Sequence, residues 1–181
     1  AVLRAQAPGL RVAVQPIDDD RLAAQLERGE VDLALTTPQS APPNLHARHL
    51  FDERYVCMAR AGHPALAAGA LTLDAFCAQD HALVSYGGTP FEGATDRALA
   101  GLGRQRRVVV SVGSFLMLPE LLRRTDLIAV APERLVGNEA GLVTAEPPLA
   151  VPGFTKLAVW HERRHRDAGQ RWARERLFEL S

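Results

Sequence analysis

The sequence has almost no lysine and very little cysteine. Lys156 is the one lysine among 21 basic residues, and 21 acidic residues bring the formal net charge to zero. Without a basic surplus to neutralise phosphates, this segment alone is not expected to bind nucleic acid. The preference for arginine indicates base composition rather than function, so no single arginine is assigned a role. Cys57 and Cys77 lie in apolar runs, which favours free thiols in a reducing compartment over a disulfide framework.

Long apolar runs are also lacking. No stretch approaches the ~20 apolar residues that span a bilayer, so no membrane partner is expected. The start does not have the pattern of a signal peptide; residues 1–9 resemble the end of a helix, and we expect the chain to begin inside a larger structure. With 47% hydrophobic and 23% charged residues, the composition predicts a globular protein with one core or two small ones.

Most familiar catalytic motifs are missing from the sequence. It contains no G-x-S-x-G elbow, no G-x-x-x-x-G-K-[ST] phosphate loop and no C-x-x-C pair. Residues 161–165 have the letters of the H-E-x-x-H zinc motif, but that motif holds its metal from a helix, and no helix is predicted here. Two histidine pairs, His46 with His49 and His161 with His165, fall on predicted strands or turns, so they are not expected to bind a metal. The three acids at residues 18–20 are better explained as a helix cap and its dipole partners than as a magnesium site. We therefore expect neither an enzyme nor a cofactor.

A strand–helix–strand pattern occurs near the start of the chain. Residues 10–15 predict a strand, residues 22–29 a helix and residues 31–35 a second strand. Together these segments would form a parallel βαβ unit.

The same pattern returns later, with a strand at residues 106–112, a helix at 114–124 and a strand at 127–131. In both copies the strands start about 21 residues apart, which is the length of a minimal βαβ crossover. Two equivalent units predict two similar lobes. Pro119 falls in the second helix, so this helix either starts near Leu118 or bends and leaves the carbonyl of Phe115 unpaired.

The remaining segments complete the two lobes. They predict a strand pair at residues 45–50 and 54–59, a short helix from Thr72, a strand at 82–85, a helix at 91–102, a strand at 154–161 and a helix at 166–180. If the last two elements pack on the first lobe, the chain crosses between lobes twice. Two crossings form a hinge on which the lobes could close around a ligand.

Polar residues follow several predicted strands. In a parallel α/β sheet, ligands bind beyond the carboxyl ends of the strands, where helix N-termini offer unpaired N–H groups. Thr36 and Thr37 meet this description in the first lobe, and residues 85–89 and 113–115 meet it in the second. Each is also explained as a strand end, a turn or a helix cap, but the duplicated topology would bring all of them to one cleft.

Four stretches, taken in order, resemble the effector-binding region of LysR-type transcriptional regulators over essentially the whole chain. They are residues 7–10, 26–35, 60–64 and 125–135. Residues 51–57, 118–119 and 160–161 are similar to the branch that contains the nodulation regulators and the regulators of aromatic catabolism. Each stretch is short, and their joint order and spacing carry the resemblance.

The resemblance implies an α/β fold with two Rossmann-like lobes, a clamshell like the type II periplasmic binding proteins, joined by two crossover strands. Lobe I would comprise residues 1–80 and 154–181, and lobe II residues 81–153. It further implies a small organic effector, aromatic or anionic, a homodimer or homotetramer, a cytoplasmic location and no catalysis. DNA would be bound only through a winged helix-turn-helix outside this chain.

The resemblance also implies which residues contact the effector. They are Thr36, Thr37, Ser85, Tyr86, Gly87, Ser114, Phe115 and, at the back of the cleft, Val159. The family's first strand and polar loop would precede Ala1, so we expect the first sheet to lack a central strand. Ser114 is short and neutral where aromatic-sensing relatives can carry a histidine, which weakens the expectation of an aromatic carboxylate at that turn.

Two other functions stay open at this point. A solute-binding protein of a transport system would use the same clamshell to capture its ligand. An enzyme on this bilobal fold would need a catalytic carboxylate or cysteine that faces the cleft.

Overall fold

A computed structural model describes residues 2–67, 69–85, 91–136 and 140–179, and its contacts divide the chain into two units. Unit 1 contains Ala1–Asp52 with Phe154–Ser181, and unit 2 contains Glu53–Gly153. Within the described ranges, no helix is both long and apolar enough to cross a membrane. The elements in chain order are α1 (Val2–Gln6), α2 (Leu22–Arg28), β1 (Ala34–Thr36), β2 (His46–Glu53), β3 (Tyr55–Arg60), α3 (Pro64–Ala67), α4 (Leu73–Cys77), β4 (Asp80–Val84), α5 (Ala94–Ala100), β5 (Arg107–Val112), a 3-10 turn (Phe115–Met117), α6 (Leu118–Arg123), β6 (Ile128–Pro132), α7 (Glu133–Val136), β7 (Leu142–Ala145), β8 (Phe154–Trp160), a second 3-10 turn (Glu162–Arg164) and α8 (Ala168–Phe178).

Unit 1 is built on a three-stranded sheet with the order β1-β8-β2. Alternate residues of β8 face opposite sides of this sheet, as the two-residue period of a strand requires. On one side Val159 packs in a cluster with Leu22 and Leu26 of α2. On the other side Ala158 and Trp160 pack in a cluster with the end of α8. The sheet therefore has a small apolar core on each face.

The predicted strand at residues 10–15 is wrong. These residues have no regular secondary structure, and the side chains of Val12 and Val14 are 60% and 92% exposed. The second predicted strand exists only as β1, which pairs antiparallel with β8, so the first predicted βαβ unit does not form. A β-prone sequence becomes a strand only when a partner strand completes its hydrogen bonds, and residues 10–15 have no ladder partner in the described part of the chain.

Unit 2 is built on a five-stranded sheet with the order β5-β4-β6-β3-β7. Strand β4 is parallel to both β5 and β6, and β3 is antiparallel to β6 and β7. The second predicted βαβ unit is confirmed as β5, α6 and β6, with β4 inserted between its two strands. The helix begins at Leu118, so Pro119 lies in its first turn, where a missing N–H costs little.

The predicted strand pair at residues 45–50 and 54–59 exists as two strands that are not paired with each other. They are β2 and β3, and they lie in different sheets. The four central residues of β3 are all buried, as expected for a strand that is covered on both faces. They pack in the two apolar clusters of unit 2, so β3 belongs to the unit 2 sheet and not to that of β2. The first boundary between the units therefore falls between Asp52 and Glu53 rather than at residue 80.

A buried polar cluster joins β4 to the rest of unit 2. His81 is fully buried, and its Nε2 donates to the carbonyl oxygen of Phe76 at 2.9 Å. Its Nδ1 lies 3.5 Å from a guanidinium nitrogen of Arg106, which in turn holds Asp96 through two hydrogen bonds of 2.8 Å. Burial, and to a smaller extent the charge of Arg106, lowers the pKa of His81 to about 4. His81 is therefore a neutral core residue at pH 7.

We expect unit 2 to lose stability in mild acid because of His81. An unfolded histidine takes up its proton near pH 6.5, whereas His81 in the folded state does so only near pH 4. Between these values the unfolded state binds more protons, so this contribution is complete above pH 6.5 and is lost as the pH falls toward 4. Between pH 7 and pH 5 the loss is about 2 kcal/mol in the free energy of unfolding.

The measurement is urea unfolding at pH 7, 6 and 5, followed by far-UV circular dichroism, for the wild type and for His81→Gln. Glutamine cannot titrate, so the H81Q variant is expected to have a flatter pH dependence. Equal slopes in the two proteins would contradict this assignment.

Candidate functional site

The carboxyl ends of β4 and β5 lie side by side in unit 2. The two strands are parallel, with Val84 opposite Val112, and the backbone N–H of Ser85 donates to the carbonyl of Val112 at 3.0 Å. The structure thus brings Ser85 next to the turn that contains Ser114. This is the edge of the sheet at which parallel α/β proteins bind ligands.

Ser114 begins a turn with unusual apolar exposure. Its backbone is extended, and its Oγ accepts a hydrogen bond of 3.3 Å from the N–H of Leu116. Phe115 is half-buried against the core, whereas Leu116 and Met117 are 84% and 55% exposed. A small surface cavity of about 270 Å³ lies beside this turn, lined in part by Phe115 and Leu116 and by the charged Arg123. The turn offers a hydroxyl and apolar surface to a ligand, beside an arginine that already lies 3.6 Å from Glu120.

In unit 1 the predicted contact residues lie around the end of β1. Thr36 is the last residue of this strand and is 3% exposed, while Thr37 is half-buried and its carbonyl accepts from the N–H of Ser40 at 3.1 Å. Val159 has no exposed surface and packs against α2, so the structure makes it a core residue. Of Thr36, Thr37 and Val159, Thr37 is the residue whose surface a ligand could reach. Tyr86 and Gly87, the other predicted contacts, lie outside the described residues.

Sequence reasoning missed a charged group at the same edge of the unit 2 sheet, where β3 begins and β6 ends. The Glu53 carboxylate is almost buried and accepts the backbone N–H groups of Arg54 and Arg134 at 3.1 and 3.4 Å. The Arg54 guanidinium binds Glu133 at 2.7 Å and Glu146 at 2.6 Å, and these hydrogen bonds raise the pKa of Arg54. The sequence signal for this group was the charged pair Glu53 and Arg54 directly before the buried strand β3.

Two cysteines and a stacked pair of histidines are the other groups that could react or bind a metal. Cys57 and Cys77 are free, and burial raises the pKa of the Cys57 thiol to about 12, so this thiol is unreactive. His46 and His165, one residue from each of the two predicted histidine pairs, stack on each other with ring centroids 3.9 Å apart. Packing therefore explains both of these side chains. Across the part of the chain that the structure describes, no three His, Cys, Asp or Glu residues are arranged to hold a metal ion.

Comparison with solved structures assigns the class of protein. The chain is similar to the regulatory domain of MexT, a transcriptional activator in Pseudomonas aeruginosa, with a TM-score of 0.82 and 30% identity over 99% of this chain and 89% of that one. The predicted α/β fold of the type II periplasmic-binding-protein kind is thereby confirmed.

The profile of the LysR substrate binding domain matches residues 1–180, and the chain belongs to this family. Among curated proteins it is 34% identical to the HTH-type transcriptional regulator SyrM 1 of Sinorhizobium fredii over 97% of this chain and 52% of the relative. It is 35% identical to Nodulation protein D 3 of Rhizobium leguminosarum bv. phaseoli over 96% of this chain and 58% of the relative. The chain thus spans a little over half the length of these relatives.

These comparisons confirm the resemblance to LysR-type regulators and give no support to the transport alternative. SyrM 1 is a transcriptional regulator, and MexT is a transcriptional activator.

Proposed function

We propose that this chain senses a small organic effector on behalf of a transcriptional regulator and has no catalytic activity of its own. The observation that carries the proposal is the hydrogen bond of Ser85 to Val112, which brings the Ser114 turn and its exposed apolar side chains to the carboxyl edge of the unit 2 sheet. Parallel α/β proteins bind ligands at this edge. The family membership supports a regulatory role for this edge.

Within this proposal the effector contacts are Ser85, Ser114 and Phe115 in unit 2 and Thr37 in unit 1. Tyr86 and Gly87 stay in the proposal as neighbours of Ser85, and Thr36 would contribute through its backbone. A ligand controls a regulator only if it binds two arrangements of the protein with unequal affinity. We propose that the effector acts in this way on a homodimer or homotetramer in the cytoplasm, with the DNA contacts made outside this chain.

The first experiment is a thermal-shift screen with aromatic acids, flavonoid-like compounds, amino acids and sugars. A ligand that binds only the folded state stabilises it by about 2.7 kcal/mol at one hundred times its Kd, so the melting temperature rises with concentration. A saturable shift with one class identifies the effector chemistry. If no class shifts the melting temperature, the proposed sensing role is contradicted.

For the effector found in this way, Ser114→Trp is expected to abolish the thermal shift, with at least a tenfold loss of affinity. The indole would fill the space beside the turn, and Ser114 is half-buried at the surface, so the fold should persist. Gln105→Trp is the matched control, because Gln105 is exposed and lies at the opposite end of β5. An unchanged shift in S114W, or an equal loss in Q105W, would remove this turn from the site.

A further inference from the structure

Unit 1 contains a second cavity, well separated in sequence from the turn at Ser114. It has a volume of about 550 Å³ and lies where β8 and β2 meet α8. Its floor is aromatic and consists of Trp160 and Phe178, whose ring centroids are 6.2 Å apart. Its walls carry four arginines, and we call this feature the arginine cavity: Arg48, Arg166, Arg171 and Arg174.

Arg174 places a positive charge at the floor of the arginine cavity. It is 4% exposed, and its guanidinium lies 4.6 Å from the centre of the Trp160 ring. Two backbone carbonyls, those of Arg164 and His165, accept its hydrogen bonds at 3.1 and 2.8 Å. None of the carboxylates among the described residues lies within ion-pair distance of it. Backbone carbonyls therefore hold the Arg174 guanidinium in place, but no carboxylate of the described residues pairs directly with its charge.

The other arginines surround the aromatic floor. The Arg48 guanidinium lies 4.0 Å from the centre of the Phe178 ring. Arg171 lies 3.9 Å from Glu175, the one acidic side chain among the described residues that line the cavity. Four guanidinium groups against one carboxylate leave an excess of positive charge over an apolar surface.

We propose that the arginine cavity binds a small organic anion with a flat, apolar body, such as an aryl carboxylate. Arginine forks bind carboxylates through paired, charge-assisted hydrogen bonds. Aromatic rings provide the stacking surface for the body of the ligand, and the guanidinium groups that already lie over these rings extend that surface. The volume falls within the range of about 300–1,000 Å³ that small-molecule sites occupy. This site does not depend on the effector site proposed at Ser114.

The test is isothermal titration calorimetry of the 181-residue chain with sodium 2-naphthoate as the probe. We expect saturable binding with one equivalent at this cavity, and no binding of acetate, which lacks the ring, or of 2-naphthamide, which lacks the charge. Arg166→Gln combined with Arg171→Gln should weaken the binding of 2-naphthoate at least tenfold. Both positions are exposed, so far-UV circular dichroism and the melting temperature should stay unchanged.

The matched control is Arg107→Gln combined with Arg124→Gln, which removes the same charge from two exposed positions of unit 2. It should leave the affinity unchanged, as should S114W. If R166Q/R171Q does not fold, Arg48→Gln alone takes its place. Equal affinity in R166Q/R171Q and the wild type, equal loss in both double variants, loss in S114W instead, or no binding at millimolar probe would each overturn the proposal.

Discussion

Replacing Asp96 with asparagine is expected to lower the free energy of unfolding by about 3–5 kcal/mol, because it leaves the buried Arg106 charge without a counter-ion. The Arg106 side chain is 1% exposed and that of Asp96 is 18% exposed. Burial raises the pKa of Asp96, but the hydrogen bonds and charge of Arg106 outweigh burial and hold this pKa below its ordinary value. Asparagine keeps the shape of the side chain and removes its charge.

The residue after Arg106, at the start of β5, offers a matched control. Arg107 forms an ion pair with Asp80, but the two side chains are 73% and 36% exposed. Asp80→Asn should therefore change the free energy of unfolding by at most about 1 kcal/mol, as for other exposed pairs. Urea unfolding of both variants and the wild type measures the difference. Similar losses in D96N and D80N would show that burial does not decide the contribution of these pairs.

Replacing Gly153 with alanine is expected to destabilise unit 2 by about 3 kcal/mol, the upper part of the range for overpacking. A Cβ atom at Gly153 would lie 2.2 Å from the carbonyl oxygen of Glu53 and 3.3 Å from its carbonyl carbon. These are backbone atoms, so no side-chain rotation can relieve the clash. The residue must be glycine because two backbone segments approach each other closely, and not because of its φ angle.

Gly113 provides the comparison for this second prediction. Neither glycine has a positive φ, and a Cβ at Gly113 would meet nothing within 4 Å. Gly113→Ala should therefore leave the melting temperature nearly unchanged, while Gly153→Ala should lower it by roughly 6–12 °C in a chain of this size. A G153A melting temperature within 2 °C of that of G113A would contradict the close approach of Gly153 and Glu53.

Elements with local patterns were predictable from the sequence. Three elements show this: β5, the helix after Ser114 and β6. Each has an apolar pattern within its own sequence, and the pattern located each element to within a few residues. The cap of α4 was equally local, since the Thr72 hydroxyl accepts the Ala75 N–H at 3.2 Å. The strand at residues 10–15 failed because strand formation depends on a partner that the pattern does not contain.

The charged features of the candidate sites depend on tertiary structure, and the sequence did not reveal them. Arg106 meets Asp96 only because α5 lies beside the residue that precedes β5, and Arg174 meets Trp160 only because α8 packs on β8. We attributed the many arginines to base composition, and this interpretation hid the four that line one cavity. Ser85 and Ser114 were predictable as a pair because parallel strands of one sheet end at the same edge.

The strand order of unit 1 has a consequence for synthesis of the protein. Among the described residues β8 is the last strand in sequence, yet it is the middle strand of the unit 1 sheet, so β1 and β2 each pair with it and not with each other. Unit 2 is contiguous in sequence, so its strands can pair as they leave the ribosome. Unit 1 must hold its first half open until β8 has emerged. A nonsense mutation at Phe154, the first residue of β8, should leave unit 2 able to fold, while unit 1 loses its middle strand and becomes a substrate for proteases.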